Sequence, residues 1–198
     1  MAITQIELPY TKLIPMLDKL LDLIKQNAGP AITNNPAIPN DRNDEAVEAT
    51  GTSIMDTLKN ALSGGGLNSI LSMFGKGSAP ADHPVVQQAT EDVTTKLANQ
   101  FNLDPNQAAG IAKDLVPNVM NQMAQKTADP SDKTFDPQDM MNNLSDGKTS
   151  GVNIQGLLSK FKGGLDKDGD GDVDLQDLKS LLSGGGAGLM DSVKGLFS

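Results

Sequence analysis

Six aspartates stand within twelve residues toward the C-terminus, in the stretch DKDGDGDVDLQD at 166–177. Asp166, Asp168, Asp170, Asp172, Asp174 and Asp177 occupy positions one, three, five, seven, nine and twelve of that stretch, and Gly171 occupies position six. Calcium takes about six to eight oxygen ligands, and a twelve-residue loop supplies them from those positions when a glycine at six allows the chain to turn sharply. Asp166, Asp168 and Asp170 are therefore expected to ligate through their side chains. Asp172 is expected to act through its backbone carbonyl, Asp174 through a water, and Asp177 to close the shell. Six Asp against one Lys give the loop a formal charge of −5. Without a cation that crowding is repulsive, so the expected cofactor is calcium, with magnesium as the competing ion, and its binding should order the segment.

Such a loop needs helices to hold it. Ahead of it VNIQGLLSKF reads as a short helix, and after it LQDLKSLLS continues with Leu175, Leu178, Leu181 and Leu182 on one face. A Gly-rich spacer and a last short helix, Leu189 to Phe197, follow. The loop resembles that of EF-hands. It departs from them in having Asp177 rather than Glu at position twelve, one methylene shorter, and in Gly163 and Gly164, where the entering helix would make its last turn. Both departures are similar to the loop-helix halves of dockerins, which carry two such halves where this chain carries one. The EF-hand resemblance implies that Val173, at position eight, pairs with a partner loop. Self-association, or packing on the rest of the chain, is then expected.

The remainder reads as all-α, a bundle of short helices with the loop-helix segment at its C-terminal end. Apolar residues make up 37% of the chain but aromatic ones only 3%, with no Trp, so the core must be aliphatic. Twenty Gly and eleven Pro separate the apolar segments. Leu13, Leu17, Leu20, Leu21 and Ile24 predict a helix over 15–27, and three Pro and four Asn predict an extended or turn-rich connector over 28–44. Val47, Gly51, Ile54, Leu58 and Leu62 predict a second helix ended by Gly64, Gly65 and Gly66. A short one follows over 67–74, and a fourth over Pro84 to Phe101. Asp104–Pro105 and Asp136–Pro137 each carry helix-start chemistry, an Asp to cap free amides and a Pro with no amide to lose. Pro117 is expected to kink or break the helix that begins at Pro105. The division falls near Gly147 to Gly151, giving a helical domain over 1–147 and a calcium-binding segment over 151–198.

Residues NNPAIPNDRNDEAVEATGTSIMDTLKNALSGGGLNSILSMF, followed by VVQQATEDVTTKLANQFNLDPNQAAGIAKDLVPNVMNQM, resemble the bacterial YidB-like family of helical domains of unknown function, over about residues 13 to 147. The resemblance implies a bacterial source and an all-helical bundle, and it brings no catalytic residues.

An internal echo is also present. LSGGGLNSILSMFGKG at 62–77 is similar to LSGGGAGLMDSVKGLFS at 182–198, and GLLSKFKGG at 156–164 shares the short apolar run ending in Phe and Gly. Either Gly simply ends each helix, or the run is a repeated docking element. Met120, Met123, Met140 and Met141 are expected to fill the core rather than line a groove.

Other chemistries find little support. No Cys is present, which removes disulfides and thiolate sites, and His83 is the one histidine, placed in ADHP where it suits a helix start better than a base. A net charge of −9 without clustered Lys and Arg argues against nucleic acid. MAITQIELPYTKL lacks a secretory pattern, and a membrane partner is not expected. The chain is read as cytoplasmic, with signal-less export as the alternative. The expected function is noncatalytic calcium binding that supports protein interaction or assembly. The alternatives are a structural subunit with a purely structural calcium, and a calcium-supported hydrolase using carboxylates.

Overall fold

A computed structural model describes the chain over residues 14–162. All regular structure among these residues is helical, and they contain no strand. The order is α1 (Ile14–Asn27), α2 (Asn43–Ser63), α3 (Leu67–Lys76), α4 (Pro84–Phe101), α5 (Pro105–Ala128), α6 (Pro137–Leu144) and α7 (Ile154–Lys162).

The centre is the hairpin of α4 and α5. Val86, Ala89, Val93 and Leu97 of α4 recur at helical spacing and are buried, as are Ala108, Ile111, Ala112, Leu115 and Val119 of α5. Asn102, in the left-handed conformation at φ 52°, ends α4, and two residues later Asp104 starts α5 by accepting the Asn106 amide at 2.8 Å. The turn is short because each of its residues has a capping role. Helix α2 packs on α4, α1 lies across α2 and α5, α3 lies on α5, and α7 packs on α3 and α6. One contiguous apolar core runs through all seven helices.

Helix α1 approaches α2 closely because Gly51 has no side chain. A Cβ built there would lie 2.6 Å from Leu21 Cδ2 and 3.3 Å from Ile24 Cδ1. Gly77 does the same for α3 and α5. It has φ 65°, and its amide and that of Ser78 bond back to the carbonyls of Phe74 and Met73, so α3 stops in a Schellman turn pressed against Ala128.

Two expectations offered alternatives, and the structure narrows each. The connector after α1 takes the turn-rich form rather than the extended one: Gly29–Thr33 forms a π-helical turn, Asn40–Arg42 a 3-10 turn, and Ala28, Ala31, Ile32 and Ile38 are buried. Its apolar residues turn into the core, and Asn35 satisfies the local backbone by donating to the Ala31 carbonyl and accepting the Ala37 amide. Pro117 does not divide α5, which is continuous from Pro105 to Ala128. The carbonyl deprived of a partner belongs to Lys113, an exposed residue where water can replace the lost bond.

Replacing Gly51 by Val should destabilise the fold by about 1–3 kcal/mol in urea denaturation. Gly51→Ala should lose less, since the tip of Leu21 can yield and a helix gains about 1 kcal/mol from Ala over Gly. A valine variant as stable as the parent would contradict this crossing.

Candidate functional site

The six candidate ligands, Asp166, Asp168, Asp170, Asp172, Asp174 and Asp177, lie outside the described residues, as do Val173 and the short helix expected over Leu189 to Phe197. What is described is the helix that leads to the loop. Helix α7 is held to the bundle from two sides. Ile154 and Leu158 are buried in the core that also takes Leu71 and Phe74 of α3. On the polar side, the Gln138 Oε1 of α6 accepts the Ile154 amide at 3.1 Å, and Asn153 Oδ1 accepts the Gly156 amide at 2.7 Å. Two of the free amides of a helix start are thereby satisfied.

Gln138 belongs to a larger network. Its Nε2 donates to the Thr149 carbonyl at 3.3 Å, and the Thr149 hydroxyl donates to Asn142 Oδ1 at 3.0 Å. Since that hydroxyl has spent its one proton, the 2.9 Å contact with Ser145 must be donated by Ser145, whose oxygen in turn accepts the Thr149 amide at 3.1 Å. Thr149 is fully buried, so each of these bonds replaces water that cannot enter. The segment SDGKTSG thus forms a knot between α6 and α7. Asp136 opens α6 by accepting the Gln138 and Asp139 amides, which fixes the direction in which Gln138 points.

The loop between α5 and α6 is built by two further aspartates. Asp129 accepts the Ser131 hydroxyl at 2.7 Å and its amide at 2.8 Å, and these bonds hold its carboxyl below the usual range. Asp132 is lowered to about 2, first by its bonds with Thr134 and then by Lys126, whose ammonium stands 3.0 Å away. Both stay ionised at neutral pH, and both are bonded within their own loop. No group of three or more His, Cys, Asp or Glu that could hold a metal occurs among the described residues.

Among the described residues, clefts open on the surface. One, of about 410 Å³, lies between α7 and the loop after α5, with Phe74, Pro137 and Leu158 among its walls. Another, of about 700 Å³, separates α2 from α4 and is lined by polar residues including Asp56, Asn60, Asp92 and Lys96. Asp92 is already taken on both oxygens, by Thr57 at 2.6 Å and Gln88 at 2.9 Å.

His83 caps α4: its Nδ1 accepts the Val85 amide at 3.3 Å, so the proton of the neutral ring sits on Nε2. Burial lowers its pKa, an effect the neighbouring Asp82 carboxylate opposes. Met120, Met123, Met140 and Met141 are all buried and fill the core. No helix among the described residues is long and apolar enough to cross a membrane.

No family model, no curated protein and no solved structure matches this chain. The likeness to the YidB-like family therefore rests on the sequence pattern alone. Sequence reasoning passed over Gln138, Asn142, Ser145 and Thr149. The signal was the spacing of Gln138, Asn142 and Ser145, which sets three amide and hydroxyl side chains on one face of α6 and its C-terminal cap.

Protonating His83 removes the acceptor that caps α4. Because the folded pKa lies below the ordinary histidine value of about 6.5, the contribution is full above that value and is lost as pH falls through it toward the folded pKa. His83→Asn keeps a capping oxygen and cannot titrate. Between about pH 8 and about pH 5.5 the parent should lose more in Tm than His83→Asn, by circular dichroism. Equal losses would remove His83 from this role.

Proposed function

We propose that this protein is a noncatalytic calcium-binding protein in which the metal, held by the loop at 166–177, orders the C-terminal segment and supports interaction or assembly. The observation that carries the reading is the register of that loop, with a carboxylate at each ligating position and Gly171 at the turn. The docking of α7 supports it. A loop of this kind requires a fixed point from which to fold around the ion, and α7 reaches Lys162, four residues before Asp166, on a helix seated in the core and bonded to Gln138. The dense negative charge of the loop supplies the driving force, since one divalent ion relieves much of the mutual repulsion. Asp177 makes the closing ligand shorter than Glu, so a smaller, contracted shell is expected and magnesium competes.

Isothermal titration should give one calcium per chain, with a Kd within the range of about 10⁻⁷ to 10⁻³ M spanned by sensor and extracellular loops of this type. Asp166→Ala combined with Asp170→Ala should weaken binding by at least about tenfold, the loss of about 1.4 kcal/mol or more. A double variant that binds calcium as the parent does would overturn the ligand assignment.

A further inference from the structure

The internal echo acquires a physical meaning in the fold. Aligned without gaps, α3 and α7 begin at equivalent residues, Leu67 and Ile154, and share Leu71-Ser72-x-Phe74 with Leu158-Ser159-x-Phe161. The two helices pack against each other, with Leu71 and Leu158 both buried. Two copies of the run thus dock on one another, which a Gly that merely ends a helix does not require. The third copy offers the same pattern. Met190, Val193, Leu196 and Phe197 fall in register with Leu67, Ile70, Met73 and Phe74 of α3.

We propose that this third copy, residues 189–198, docks back on the same chain by inserting Val193, Leu196 and Phe197 into the cleft beside α7. Three observations choose the occupant. The cleft lies against the α3–α7 pair, with the buried Phe74, Pro137 and Leu158 at its floor and polar groups such as Asp129, Lys133 and Asn153 around it, next to the two copies already paired. Its volume of about 410 Å³ holds a few apolar side chains and no whole helix, which suits a short run that buries one face. The chain also leaves the described fold at Lys162, on the helix that forms one wall, so docking is intramolecular and a second copy competes poorly. Charge agrees: Asp129 and Lys133 stand at the cleft, and the segment carries Lys194 and Asp191 to meet them. The docking does not depend on the metal reading.

The absence of native Cys makes disulfide trapping specific. Full-length chains carrying Lys133→Cys with Ser198→Cys, or Pro130→Cys with Ser198→Cys, are oxidised in saturating calcium and compared with Lys96→Cys and Ser198→Cys, which places the first thiol at the cleft between α2 and α4. The expected result is an intrachain disulfide that forms at least about tenfold faster in the first two pairs than in the third. Adding Leu196→Asp and Phe197→Asp should abolish the difference. Equal rates in all three pairs, a disulfide formed only between chains, or a difference untouched by the aspartate substitutions would each overturn the proposal.

Discussion

The fold depends on how closely small residues let helices approach. With no Trp and few aromatic residues, the core draws on Ala, Val, Leu, Ile and Met, and a buried methylene contributes only about 0.8 kcal/mol. Stability must then come from many contacts at short range, because dispersion weakens steeply with a gap of half an ångström. Gly51 under Leu21, Gly77 against Ala128, and the buried alanines at 89, 108, 112 and 124 keep those gaps closed. Helix α5 gathers the result: α1, α3 and α4 all rest on it, and α7 reaches it through α3.

That chain of packing gives the C-terminal segment its anchor. Buried Ile154 and Leu158 provide the apolar grip, while the bonds from Gln138 and Asn153 set where α7 starts and which way it points. Each polar bond contributes roughly 1 kcal/mol when made and more when broken in a buried place. Under the proposed function, the arrangement suits a helix that stays put while the proposed loop beyond it gains or loses a metal ion. In the proposed function, metal binding pulls against a seated helix rather than a frayed end.

Much of this was legible in the residues. The helix starts at Pro84, Pro105 and Pro137 follow from a capping side chain ahead of a proline, and the apolar periods of α2, α4 and α5 mark their buried faces. Two features were hidden because long-range packing decided them. The connector after α1 is turn-rich, as its Asn and Pro predict, but its composition does not announce that Ile32 and Ile38 enter the core. The stretch around Thr149 shows no apolar period, and its buried polar knot takes its partners from another helix. The candidate ligands were read from spacing alone, since carboxylates at alternate positions around a glycine are a chemical pattern before they are a shape.

Hydrogen exchange along α7, read in chelator and in calcium, tests most directly whether a seated helix feeds the metal loop. The amides of Ile154 and Leu157, bonded to Gln138 and to Asn153, should already be protected in chelator and should slow by at least about tenfold more when calcium binds. Exchange at unprotected rates in chelator, unchanged by calcium, would contradict the account.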